Sequence, residues 1–474
     1  MARGKLQFLS GDDIRRIHET SIRVLEQVGV ALESKSVTKM LLENGCTASM
    51  DGKRVLIPEI VVKTALSKAP RSVLLASRDG EHDIRIPDHD KLFVSTGGEG
   101  VFIRDMLTGE TRTPRTEDLA NFVRLIDAFP QIDFAWFLVG SQDQPAHLKG
   151  LAEMRVGFSS TTKHIQSAAA DVAEAWNILK LASILTNGRD NLAKRPIFSA
   201  VQCPISPLTF ESGLVEAQTE LAKAGIPVVS MSAAVAGLTA PVTIAGMLAQ
   251  INAENLASLV VTQTSMKGAP WIYSSDSVMG DLRTGSIDYG ALESNLARAG
   301  AGQLGKFYGL PTMVAGLGLE SGSLLLGRER DGVATMVNQA LVPSDLGSGL
   351  GGTDQAAGAS FEQLIVDAWV WEVAKEYIRD FAADGGAISF ETIRDGGLDG
   401  NFLGKRHTLA RFKQEFSAVS KPEAVISGRG ESEPRGQLLK RAKEEVKRIL
   451  STKPEFVVTT DELAAMDDFF ESQV

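Results

Sequence analysis

The chain has 474 residues and a mass of 50.7 kDa, with 43% hydrophobic and 23% charged residues, the balance of a folded globular protein and not of a disordered or fibrous one. Lys plus Arg number 49 against 59 Asp plus Glu, a net charge of −10 with a pI near 5.3, so nothing general draws the chain to nucleic acid or to an anionic membrane. Two widely separated cysteines, Cys46 and Cys203, do not make a disulfide framework and point to a reducing, cytoplasmic setting.

The first residues carry basic side chains without an apolar run of export-signal length, and no window holds the roughly 18 uninterrupted apolar residues of a membrane span. The most apolar run, Leu256 to Val261, is flanked by Glu254 and Gln263, so no membrane crossing is expected. From Ser10, Ile14, Ile17, Ile22, Leu25 and Val28 recur at helical spacing until Gly29 stops the run. Two shorter helices follow, one reaching Gly45 and one opening at Pro58. Val73 to Leu75, His82 to Ile86 and Lys91 to Val94 then read as short β runs between Gly and Asp turns. Residues 1–130 are therefore expected to form a helical and β extension.

From about Pro130 an apolar strand-like run, a loop and a helix-length amphipathic stretch alternate, which is the signature of parallel strands with crossover helices. The strand candidates are Phe134 to Val139, His164 to Ala168, Ile197 to Val201, Ile226 to Met231, Trp271 to Ser274, Thr312 to Ala315, Ala340 to Pro343 and Ala387 to Phe390. Eight such units in about 290 residues favour an α/β fold of the (β/α)8 TIM barrel type over residues 131–419, with chemistry expected at the C-terminal ends of the strands. Residues 420–474 are charged and helical, and are expected to pack on the barrel as a C-terminal tail.

Gly347-Ser-Gly-Leu-Gly-Gly352 matches G-x-G-x-x-G, but it comes late among the strand candidates instead of opening the first βαβ unit. A glycine-rich turn where backbone approaches closely is the better reading, and no bound nucleotide is expected. The histidines His18, His82, His89, His147, His164 and His407 form no zinc-ligand spacing, and no bound metal is expected. Just after the strand candidates stand Asp143, Asp276, Glu320, Asp345 and Glu391, with Phe137, Tyr273 and Phe390 near them. Carboxylates mixed with aromatic faces are what a quaternary ammonium needs, because it can neither donate nor accept a hydrogen bond and is held by ring quadrupoles and charge. The competing reading is that the rings fill core and the carboxylates are solvated.

Phrases spread over almost the whole chain resemble the trimethylamine methyltransferase (MttB) superfamily, whose members move a methyl group from a methylated amine to a corrinoid protein. They are the Ile17-His18-Glu19 to Gly29 run, Gly109 to Arg112 with Thr116 to Leu119, Cys203-Pro-Ile-Ser-Pro-Leu208, Gly237 to Gly246, Asp281-Leu-Arg-Thr-Gly285, and Asn401-Phe-Leu-Gly404 leading to His407, Leu409 and Phe412. The resemblance implies a (β/α)8 barrel. Trimethylamine-specific members carry pyrrolysine late in the barrel, whereas Leu341 to Gly352 holds standard residues here, and Asn401 stands where the family commonly has His. The chain thus resembles the branch acting on quaternary amines such as glycine betaine, proline betaine or carnitine. That resemblance implies a cobalamin-type corrinoid carried by a cognate partner protein.

On this reading Tyr273, Phe137 and Phe390 wall the ammonium, one or two of Asp276, Glu320 and Asp345 balance its charge, and Arg283 or backbone amides hold a substrate carboxylate. The long apolar helices suggest a homo-oligomer. A barrel lyase or hydrolase using the strand-end carboxylates, and a betaine-binding protein without transfer, are the alternatives.

Overall fold

The computed structural model describes residues 4–88, 91–318, 329–415, 437–452 and 457–474. Eight parallel strands form its centre: β1 Phe93–Thr96, β2 Ala135–Trp136, β3 Ile165–Ser167, β4 Phe198–Gln202, β5 Val228–Ser232, β6 Trp271–Ser275, β7 Thr312–Ala315 and β8 Leu346–Leu350. Their hydrogen-bonded order is β1-β8-β7-β6-β5-β4-β3-β2, and a parallel bridge from Ser95 to Phe134 joins β1 to β2, closing the ring. The paired registers advance by eight residues in one circuit, the stagger of a (β/α)8 barrel. Eight helices return the chain outside it, from Thr116–Ala128 after β1 to Phe361–Tyr377 after β8. The fold class read from the sequence is the fold observed.

Three elements differ from the sequence reading. The barrel opens with Phe93–Thr96, inside the stretch assigned to the extension, so its first strand precedes residue 131. Its link to β2 carries an antiparallel pair, Phe102–Arg104 with Thr111–Arg112, before the helix, which hides the βα rhythm. Ala340 to Pro343 is the end of the Glu329–Leu341 helix and the turn beyond it, and the strand is Leu346–Leu350. The Leu-Gly-Ser-Gly-Leu run lacks β-branched residues because its backbone is crowded: a Cβ on Gly349 would lie 2.7 Å from the Gly318 nitrogen. Ala387 to Phe390 is helical, in Gly385–Ile388 and Phe390–Asp399. The first of these is capped by Asp384, which accepts the Gly386 and Ala387 N–H groups at 2.9 Å.

The N-terminal helices Gly11–Gln27 and Glu59–Lys68 cover the 22-residue helix Ile244–Ser265, whose buried residues run around its circumference and so need protein on every side. That helix is long and apolar enough to span a membrane, yet 78% of its most apolar window is buried. Ser21 fixes the contact by donating to the Ala249 carbonyl at 2.9 Å while accepting from Asn252 at 2.9 Å. A hairpin, Val73–Leu75 with Ile84–Ile86, packs with Phe93, Phe134, Ile272, Met313 and Leu346 and plugs the N-terminal end of the barrel. Helices Gln437–Ser451 and Thr460–Glu471 place Ala442, Val446, Ile449 and Met466 in the same apolar cluster as Leu119 and Leu364.

Candidate active site

Alternation along the strands decides what faces the barrel axis. Val94, Ala135, Ile165, Ala200, Val228, Trp271 and Tyr273 pack outward among the helices, whereas Phe93, Phe134, Val201, Val229, Met231, Ile272, Met313 and Leu346 cluster inside, with Trp136 against them. With this parity and the eight-residue stagger, Trp136, Val201, Ser274 and Ser348 share one layer contributed by alternate strands. Gly97, Ala168, Met231 and Ala315 form the layer above, and Cys203 and Asp276 stand above that. Three of the four positions directly over Trp136 therefore have almost no side chain.

Exposure agrees with an open lumen. Trp136, though inside the barrel, is only half-buried, as are Gly97, Gly98 and Asp276, while Ala168, Ala233 and Cys203 are exposed. Cys203 is solvent-accessible, yet desolvation and the Asp276 charge push its thiol up to about 12; accessibility combined with desolvation describes the wall of a deep recess. The indole is its floor. Gly98 lies against that ring, where a Cβ would come within 3.0 Å of Trp136 Cζ2.

Polar groups around the floor lack protein partners. Ser274 Oγ and Ser348 Oγ in the Trp136 layer, and both amide atoms of Gln166, whose residue pairs with Trp136 between β3 and β2, are buried without a hydrogen bond. Buried polar atoms are normally satisfied, so such a ring marks a place for a ligand or water. On the wall, Asp276 donates its N–H to the Ser232 carbonyl at 3.0 Å, and its Oδ2 accepts the Tyr289 hydroxyl at 3.0 Å. Burial pushes its carboxyl up to about 6, against the opposing pull of Arg298 and the Tyr289 bond. Tyr289 is itself held by its N–H to Gln355 Oε1 at 2.8 Å, in a turn where Asp354, Gln355 and Ala356 all have positive φ.

A second charged group sits on the β1 to β3 side. Lys149 lies 3.2 Å from Glu99 and 3.8 Å from Glu153, and burial with the Glu99 charge pushes Glu153 up to about 8. Glu254, buried behind β5, accepts from Ser206, Leu208, Ser232 and Gln250, and so ties loops together with no capacity to spare.

Of the residues singled out from sequence, the structure brings Asp276 to the mouth. Phe137 and Tyr273 are fully buried but point outward, Phe137 against Gly157 and Tyr273 donating to Asn252 Oδ1 at 3.3 Å. Asp345 precedes β8 and lies at the opposite end of the barrel, accepting the Thr312 N–H at 2.8 Å and pairing with Lys306. Arg283 is in a hairpin turn with its side chain 90% exposed, paired with Asp281 at 3.4 Å. Phe390 is 68% exposed on an outer helix, and Glu391 beside it pairs with Arg394. Asp143 accepts from the Thr116 N–H and hydroxyl at 2.8 Å, anchoring a helix start. Glu320 lies outside the described residues.

Trp136, Tyr289 and Arg298 went unread. Trp136 was within reach, because the inward parity of Phe134 in the same strand selects it over Phe137.

Comparison with known proteins supplies the family. The family model described as trimethylamine methyltransferase (MTTB) matches residues 2–473. The trimethylamine methyltransferase MttB of Desulfitobacterium hafniense is 30% identical over 406 residues, 86% of this chain and 82% of its own. A glycine betaine methyltransferase from another strain of that organism is 27% identical over 424 residues, 87% and 86% of the two chains. Among solved structures, the Methanosarcina barkeri monomethylamine methyltransferase matches with a TM-score of 0.47 and 13% identity, covering 92% of this chain and 93% of that one. With a family model that spans all but its terminal residues and relatives that align over most of their length, this chain belongs to the trimethylamine methyltransferase family.

Proposed function

We propose that this protein moves a methyl group from a quaternary ammonium compound to a corrinoid carried by a separate protein. The observation that carries the reading is the recess over Trp136: a half-buried indole at the floor, the Asp276 carboxylate on the wall, and hydroxyls without a partner among the described residues around the base. A methylated ammonium offers only charge and apolar surface, and Trp is the strongest of the aromatic faces for such a cation, contributing about 2 kcal/mol when water is excluded. The similarity to a glycine betaine methyltransferase supports the same donor class.

When bound, the corrinoid would supply a Co(I) nucleophile, with an electron pair to offer the methyl carbon. The C–N pair leaves on nitrogen as a neutral tertiary amine, so no side chain has to deliver a proton. The work of this chain is positional. Trp136 and Asp276 hold the ammonium at the base, Tyr289 fixes the carboxylate, and the bare layer of Gly97, Ala168 and Ala315 lets one methyl group point out of the mouth. That open layer fits an acceptor approaching from above. The pocket stabilises the charged donor more than the neutral amine, which also favours product release.

The test is an anaerobic assay with reduced cob(I)alamin and a panel of methylated amines, following the loss of the cob(I)alamin spectrum. Quaternary amines are expected to react and tertiary amines to stay silent, with W136A lowering kcat/KM about 30-fold. Turnover without any corrinoid would favour the lyase or hydrolase reading, and ligand binding without alkylation would favour a binding protein.

A further inference from the structure

Resting on the ammonium site proposed above, we infer that Arg298 is the group that selects donors bearing a carboxylate. Arg298 lies on the Glu293–Phe307 helix between β6 and β7, with only 6% of its surface exposed. Gly316, just past β7, has φ +115°, and a Cβ there would lie 2.4 Å from both Cζ and Nε of Arg298. The guanidinium thus rests on the backbone at the C-terminal end of β7, where a side chain would displace it. Asp276 follows β6, the neighbouring strand, at the same end of the barrel.

The Arg298 charge reaches Asp276 and holds its carboxyl lower than burial alone would, yet the two make no ion pair. Among the described residues Arg298 has no hydrogen-bond or ion-pair partner, and its nitrogens are not sealed from solvent either. A guanidinium carries five donors and no acceptor, so leaving it buried and unpaired is costly. Lys163, another buried cation here, is satisfied by three carbonyls at 2.8 Å. The chemistry that answers a planar fork of donors is a carboxylate taken by two parallel bonds. With a methylated ammonium over Trp136 beside Asp276, a carboxylate on Arg298 makes the preferred donor a zwitterion.

The test is calorimetric binding, independent of methyl transfer, with three isosteric probes. Trimethylglycine has both charges, choline lacks the carboxylate, and 3,3-dimethylbutanoate lacks the ammonium. The wild-type protein is expected to bind trimethylglycine at least about 30-fold more tightly than choline. R298Q brings trimethylglycine down to the level of choline, R298K keeps part of the preference, and G316A, which displaces the guanidinium without deleting it, also loses it. Equal binding of trimethylglycine and choline by the wild type, or R298Q weakening both alike, overturns the role of Arg298. The ammonium reading fails separately, if 3,3-dimethylbutanoate binds as tightly as trimethylglycine while R298Q still abolishes both. Melting curves of the three variants show which of them remain folded for the comparison.

Discussion

Two sets of buried side chains, one near each end of the barrel, are completed in opposite ways. At the N-terminal end, His164 is bonded on both nitrogens, to the Ala76 carbonyl at 3.1 Å and the Ser199 hydroxyl at 3.0 Å; Asp345 is taken by Lys306 and Thr312; Lys163 is saturated by Ile126, Phe129 and Ile132. At the C-terminal end, the side chains of Gln166, Ser274, Ser348 and Arg298 have no hydrogen-bond partner among the described residues. His164, Asp345 and Lys163 in the first set and all four residues of the second are at most 6% exposed. A completed network stabilises a structure, whereas an incomplete one costs stability and persists where something else completes it. The contrast belongs to these named groups and not to every buried polar atom, since Ser344 Oγ near the first set is also unbonded and Glu254 near the second is fully bonded.

Asp276 tests the functional end most severely. Burial pushes its carboxyl up to about 6, so above that pH the folded protein carries an anion that the unfolded chain would hold more cheaply. D276N is expected to lower kcat/KM for quaternary amines about 100-fold while raising stability at pH 7.5 by of the order of 2 kcal/mol, after allowance for partial exposure. Denaturant melts and kinetics on one preparation check both halves. In the wild type, ammonium binding should strengthen as the pH rises through 6, and D276N should flatten that dependence. A variant losing activity and stability together would place Asp276 in the scaffold.

His164 probes the other end. Burial pushes it down to about 4, below its ordinary 6.5, so it folds neutral and the unfolded chain takes up the proton first. Its contribution is complete above pH 6.5 and is lost as the pH falls from 6.5 towards 4, about 3 kcal/mol in all. Urea midpoints across that range read this directly, and the donor's affinity per folded molecule should not follow them through His164.

How much of this was legible in the sequence depends on the physical signal each residue leaves. The βα rhythm and apolar runs such as Val228–Ser232 and Trp271–Ser275 are set by burial on both faces, and they give the barrel. Leu346–Leu350 was hidden because close backbone approach demanded glycines, which erase the strand pattern, whereas the run at Phe93–Thr96 was read as β but not as a barrel strand, because the hairpin after it breaks the period. The aromatic wall failed by parity. Phe137 and Tyr273 are each one residue from an inward position, Trp136 and Ser274, and a one-residue slip exchanges the lumen for the helix face. Asp276, two residues beyond Ser274, keeps the inward parity. Arg298 left no local trace, since its meaning depends on Gly316 and on partners that are missing.

The smallest expected effects are also the sharpest division between the two ends. Ser199, Ser274 and Ser348 all present buried hydroxyls inside the same barrel, and only Ser199 has a partner. Replacing Ser199 by alanine strands the His164 Nε2 and is expected to cost about 1–3 kcal/mol of stability, the price of a buried group left unpaired. Replacing Ser274 or Ser348 removes a hydroxyl that had no bond to lose, so stability should stay level or rise by a few tenths of a kcal/mol. The same two changes should weaken donor binding by roughly threefold to tenfold, if the hydroxyls are completed by the ligand or by water it brings. Three single-atom deletions of one kind would then separate into opposite signs of stability and opposite effects on binding. If S274A and S348A melt as early as S199A, their hydroxyls are bonded in the folded protein and the lumen is scaffold throughout.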